Sequence, residues 1–157
     1  MRVPKIYLES TVFNFYFAND APDKRKDTLK LFEEIKEGKY VPYTSNSVLV
    51  ELAQDVEPKR GQMLALIEMH KVEILPAHAD ENRLANIYVA EGIIPEKYAT
   101  DALHIASTTV NDLDFIVSYN FKHIVKRKTI MMTESVNLRE GYKRIGIFSP
   151  TEVIEDE

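Results

Sequence analysis

The sequence predicts an α/β fold, a parallel sheet covered on both faces by helices. Three observations predict it. Short β-prone runs alternate with longer stretches of helical periodicity, the order produced by strand–helix–strand units. The run DFIVS at Asp114–Ser118 reads as a strand buried on both sides. No linker, internal repeat or low-complexity segment interrupts the 157 residues, of which 45% are hydrophobic, so residues 1–157 are expected to form a single domain with one sizeable core.

The elements follow in order. Lys5–Leu8 (KIYL) is short and β-prone. Pro22 to Lys36 carries Leu29, Phe32 and Ile35 on one helical face, with Pro22 suited to a first helical position and Gly38 to the position just past the end. Tyr40–Thr44 reads as a second strand, in which Pro42 favours an edge or an irregularity. Ser45 or Asn46 can cap a helix through about Ala53. Pro58 opens another, with Met63, Leu64 and Ile67 inward. Val72–Leu75 is a short strand closed by Pro76. A helix follows from about Asp80 to Glu91, with Gly92 at its end, and a second from near Glu96 or Lys97 to Val110. After Asp114–Ser118 come a helix near Thr129–Arg139, a strand at Ile145–Phe148, and Ser149-Pro150-Thr151-Glu152, which fits a capping box with Pro at the first helical position.

Composition narrows the chemistry. With no cysteine there is neither a disulfide framework nor a thiolate zinc site. No apolar stretch is long enough to span a bilayer, and no secretory signal pattern opens the chain, so no membrane association and a cytoplasmic location are expected. A net charge of −5 argues against a general nucleic-acid coat. The charge is uneven, however. Residues 121–146 hold seven Lys/Arg against two Glu, and Lys122, Lys126, Arg127 and Lys128, with His123, form a basic strip that is either a solvated face or a dock for a phosphate backbone.

Four polar residues stand at the ends or edges of otherwise apolar elements: Glu9 after the first strand, Glu51 in an early helix, Asp101 opening DALHIA, and Asn120 after a late strand. Scattered acids that converge in a fold can hold a hard divalent cation through oxygen, most simply Mg²⁺ or Mn²⁺. Such an ion polarises a phosphodiester and lowers the pKa of a bound water. Each residue also has an ordinary reading. Glu9 is a metal ligand at a strand's carboxyl end, or a surface acid or local helix cap. Glu51 lies beside the apolar arc of Val48, Leu49 and Leu52, or on a solvated face. Asp101 borders the arc of Ala102, Leu103, Ala106 and Val110, or simply favours the helix dipole. Asn120 completes a metal shell, or caps a turn. Ser10, Ser118 and His104 are supporting candidates. His104 and His123 are read as neighbours of the metal or of phosphate, with no metal placed on either.

The ordered set, KIYLESTVFNFYF, TSNSVLVELA, DALHIAS and IVSYNFKHI, with Val136-Asn137-Leu138, Gly141-Tyr142 and the closing SPTEVI, resembles the PIN-domain family, which includes VapC-type toxins of toxin–antitoxin pairs. The resemblance covers nearly the whole chain. It implies a three-layer α/β/α sandwich with a central parallel sheet and Mg²⁺- or Mn²⁺-dependent endoribonuclease activity, in which a metal-activated water cleaves the RNA phosphodiester. Its acidic cluster falls on Glu9, Glu51, Asp101 and Asn120, with Glu9, Glu51 and Asp101 as the metal carboxylates. It also implies RNA as substrate, a cognate antitoxin protein as partner, and a homodimer, for which Phe13, Phe15 and Phe17 offer a surface that could equally be core. Two positions depart from the family pattern: Glu9 stands where Asp is usual, and Asn120 where Asp is frequent. These departures motivate a second expectation, a catalytically weak or inactive PIN-like module that binds RNA or a protein. A nucleotide-binding domain is disfavoured, because five glycines form no G-x-G-x-x-G or phosphate loop.

Overall fold

Lys5–Leu8 (β1) lies in the middle of the sheet, because both of its neighbours arrive from far along the chain. In the computed structural model, which describes residues 2–155, β1 pairs with Val41–Ser45 (β2) on one side and with Phe115–Val117 (β4) on the other. Glu73–Leu75 (β3) extends the sheet beyond β2, and Gly146–Phe148 (β5) beyond β4. The order is β3-β2-β1-β4-β5, with every pairing parallel. Flanked on both edges and covered on both faces, Ile6, Tyr7 and Leu8 are fully buried, which is why this strand reads as a continuous apolar run.

The helices are Ser10–Phe15 (α1), Pro22–Lys36 (α2), Asn46–Ala53 (α3), Lys59–Met69 (α4), Glu81–Ala90 (α5), Ala99–Val110 (α6), Arg127–Arg139 (α7) and Pro150–Val153 (α8), with a 3-10 turn at Glu96–Tyr98 leading into α6. Right-handed crossovers put the helices between β1 and β3 on one face and those between β3 and β5 on the other. The packing agrees: α1 lies against α2, α3 and α4, while α5 packs on α6 and α7. The result is the α/β class, a central parallel sheet between two helical layers. No helix among the described residues is long and apolar enough to cross a membrane.

Caps behave as the residue types dictate. The Ser45 hydroxyl accepts from Val48 N–H at the start of α3, and Glu152 accepts from the N–H and hydroxyl of Ser149 at the start of α8. Gly92 takes a φ of +77° at the end of α5, a left-handed turn that glycine adopts without strain.

The structure corrects or settles four expectations. α1 follows Glu9 at once, a helix to which sequence reading assigned no bounds. Its six residues are too few to show a helical period, and its buried side chains Val12 and Phe13 are adjacent. Pro42 sits in an interior strand. Val41 N–H donates to Pro4 on the β1 side, so Pro42 faces β3, where the ladder starts only at Tyr43–Glu73; the missing N–H is therefore not needed. In α4, Leu66 rather than Leu64 joins Met63 in the core, and Leu64 is exposed. Phe13 is wholly core, while Phe15 and Phe17 are half-buried, so Phe13 offers nothing to a partner subunit.

Candidate metal centre at the carboxyl end of the sheet

The chain runs from β1 outward to β3, then returns to β4 on the other side of β1. The crevice between the carboxyl ends of β1 and β4 is thus the point where the strand order reverses, the place where open parallel sheets bind ligands. Glu9 follows β1 directly, and Ser118 and Asn120 follow β4. Glu51 enters from α3, and Asp101 and His104 from α6.

Glu9 occupies the position before α1 in extended backbone, but its side chain makes no capping bond. Nor is it a surface acid, being 2% exposed. Three hydroxyls donate to it instead: Thr11 and Ser118 to Oε1, both at 2.6 Å, and Ser10 to Oε2 at 2.7 Å. Thr11 Oγ1 in turn accepts from Tyr119 N–H at 2.8 Å, and Ser118 Oγ from Asn120 N–H at 2.9 Å. The two loops leaving β1 and β4 are therefore stitched together around one carboxylate.

Glu51 accepts from His104 Nε2 at 2.7 Å. His104 is fully buried, and its Nδ1 lies 2.7 Å from the Tyr7 hydroxyl, which also bonds Ser45 Oγ at 2.6 Å. Burial alone draws the imidazole pKa down. The hydrogen bond to Glu51 and the charges of Glu9, Glu51 and Asp101 outweigh that and hold it above its ordinary value. A protonated ring donates through both nitrogens, one to Tyr7 and one to Glu51. Burial pushes the Tyr7 phenol far up, so it stays neutral and serves as a fixed dipole.

Asp101 stands in the first turn of α6, and its Oδ2 accepts from Asn120 Nδ2 at 3.1 Å. Burial, reinforced by Glu9, holds its carboxyl above the usual range against the opposing pull of His104, Asn120 and His123. Asn120 Oδ1 accepts from His123 N–H at 2.9 Å, which fixes the amide so that its nitrogen faces Asp101.

One ligand atom each from Glu9, Glu51 and His104 lies within 4.8 Å of the others. Asp101 is outside that trio yet feels both Glu9 and His104. Two carboxylates this close, with a third beside them and the buried His104 imidazole as the nearest counter-charge, fit a hard divalent cation held by oxygen. Glu9 Oε2 and the second oxygen of Glu51 have capacity left for such an ion. His104 does not, since both of its nitrogens are engaged; it positions Glu51. Beside Glu51 opens a cavity of about 400 Å³ lined by residues that include Ser47, Val50, Thr100 and Leu103.

Sequence reasoning placed His104 only among the supporting residues and missed Tyr7 and Thr11 altogether. Two signals were present. Asp101 and His104 are three residues apart and share one helix face, and a tyrosine in a fully buried strand must find a partner for its hydroxyl. Of the basic strip, Lys122, Lys126, Arg127 and Lys128 are exposed, the last two in the first turn of α7. His123 stacks on Tyr98 with ring centroids 4.1 Å apart.

No family model matches the chain, and no curated protein matches it. Among solved structures, a chain in the crystal structure of VapBC2 from Rickettsia felis bound to a DNA fragment from their promoter is similar with a TM-score of 0.49 and 19% identity, over 74% of this chain and 88% of that one.

Proposed function

We propose that this protein is a PIN-like, divalent-metal-dependent endoribonuclease, acting as the toxin of a toxin–antitoxin pair. One observation supports the reading: at the reversal point of a parallel sheet, Glu9 and Glu51 bring ligand atoms within 4.8 Å of each other and of the buried His104, and the Asp101 carboxyl lies near enough to feel Glu9 and His104. The sequence motifs point the same way, and the antitoxin partner and homodimer rest on that resemblance alone. Glu9 and Glu51 would hold Mg²⁺ or Mn²⁺, with Asp101 completing the carboxylate set directly or through water. The ion would supply Lewis acidity at the phosphodiester and lower the pKa of a coordinated water.

The remaining residues set geometry. Ser10, Thr11 and Ser118 fix the Glu9 carboxylate, His104 keeps a proton on Nε2 toward Glu51, and Asn120 orients Asp101. Lys122, His123, Lys126, Arg127 and Lys128 would dock the RNA backbone. None of these four Lys/Arg side chains forms an ion pair among the described residues. Asp101→Asn preserves the Asn120 hydrogen bond, so it should abolish Mg²⁺- or Mn²⁺-dependent RNA cleavage while the circular-dichroism spectrum is unchanged. Cleavage by this variant at the parent rate would refute the site.

A second reading, a non-enzymatic RNA- or protein-binding module, is favoured by one feature: the Glu9 carboxylate is already satisfied by three hydroxyls. RNA binding that persists in chelator, with no cleavage in either metal, would mark that reading.

A further inference from the structure

Asn120 is flanked by two aromatic residues that the metal centre does not use. Tyr119 is buried, with its hydroxyl tied to Lys24 O and Thr28 Oγ1. Phe121, by contrast, is 48% exposed and stands immediately after a site residue. Phe15 packs on Tyr119 with centroids 4.6 Å apart, and Phe121 approaches Tyr119 at 6.4 Å. The Lys24 ammonium lies over all three rings, 5.1 Å from Phe15, 5.6 Å from Phe121 and 6.0 Å from Tyr119. Lys24 forms no ion pair among the described residues.

We propose that Phe121 and Lys24 form a nucleotide subsite beside Asn120. The open face of Phe121 stacks a base of the RNA strand, and the Lys24 ammonium meets a neighbouring phosphate. The proposal rests on the nuclease reading above and adds the groups that grip the strand beside the acids. Stacking on an aromatic face and a cation on the backbone are the two elements of single-strand binding. Both are ordered in advance here. Three rings hold the ammonium, which lowers the entropy lost on binding phosphate. The platform is also tied to the acids, because Thr11 Oγ1 accepts from Tyr119 N–H and donates to Glu9. Charge favours a polyanion over an apolar protein surface: an ammonium caps the rings, and residues 115–133 contain four Lys/Arg and no Asp or Glu.

The test measures binding of a labelled oligoadenylate in Mg²⁺ on the Asp101→Asn background, which keeps the RNA intact. Phe121→Ala should weaken binding about tenfold with an unchanged salt dependence, and Phe121→Tyr should restore it. Lys24→Gln should lower the slope of log affinity against log salt by about 0.7, the loss of one phosphate contact to a single strand. The chain has no tryptophan, so Phe121→Trp introduces the sole indole, whose fluorescence oligoadenylate should quench and inorganic phosphate should not. Unchanged affinity in Phe121→Ala, or no oligoadenylate binding on the background, overturns the subsite. Metal-dependent cleavage on the otherwise native chain separates the two claims. Cleavage together with a silent Phe121→Ala leaves the nuclease and removes the subsite, whereas Phe121-dependent binding without any cleavage does the reverse.

Discussion

Replacing Glu51 by Gln separates a metal ligand from half of a structural ion pair. Glu9 and Glu51 bring ligand atoms no more than 4.8 Å apart. At an effective dielectric constant of about 20, two unit charges at that distance repel by roughly 3.5 kcal/mol, and in bulk water by roughly 1 kcal/mol. Glu9 is buried, but the Glu51 side chain is 34% exposed, so the repulsion lies between these limits. Gln still accepts from His104 Nε2 and gives up only the charge assistance of that bond, about 1 kcal/mol. Without metal, Glu51→Gln should therefore be as stable as the parent or up to about 2 kcal/mol more stable, a rise in Tm of up to about 8 °C for a chain of this size. With Mn²⁺ at a hundred times its Kd the parent should gain about 2.7 kcal/mol, and the variant little or none. The ranking inverts between chelator and metal. Thermal and urea denaturation in both conditions read it directly. A loss of about 3–5 kcal/mol in chelator, the cost of breaking a buried structural pair, would refute the reasoning.

Three further outcomes follow from the same geometry. Ser118→Ala removes a donor from Glu9 and an acceptor from Asn120 N–H; metal affinity by calorimetry should fall about 10- to 100-fold with the sheet intact. Asp114 is partly buried, which by itself would raise its pKa, but hydrogen bonds from Lys5 N–H and Arg2 with the charge of Lys143 hold it below the ordinary carboxylate value. Its stabilisation is thus fully present above that ordinary value and disappears as pH falls through the lower, folded-state value; urea denaturation of Asp114→Asn against the parent should show a deficit at neutral pH that closes in acid. Tyr88→Phe leaves the fully buried Asn137 carbonyl without its phenolic donor and should cost about 1–3 kcal/mol by urea denaturation, with metal binding unaffected.

Much of the scaffold was legible because local signals agree with it. Ser45 caps α3, the Ser149–Glu152 box opens α8, and the apolar run of β1 announces a strand with neighbours on both sides. Where reading failed, local rules met non-local facts. Pro42 is tolerated in the interior because β3 is too short to reach it, a length set by another segment. α1 is brief and packs against α2, α3 and α4, so its helicity owes more to tertiary contact than to period. In the site, Glu51 and Asp101 stood out as acids beside apolar arcs, and Glu9 as an acid at the end of an apolar strand. The His104 contacts did not, because they depend on Tyr7, Ser45 and Glu51 arriving from β1, β2 and α3. The hydroxyl cradle of Glu9 was half visible: Ser10 and Thr11 are adjacent in sequence, whereas Ser118 is 109 residues away.

Calorimetric titration of Mn²⁺ into the parent and into Asp101→Asn tests the metal centre most directly. Saturable binding by the parent that Asp101→Asn weakens by at least about tenfold is the expected result. A parent that binds no Mn²⁺, or a variant that binds it equally well, would contradict the assignment of these carboxylates to a divalent cation.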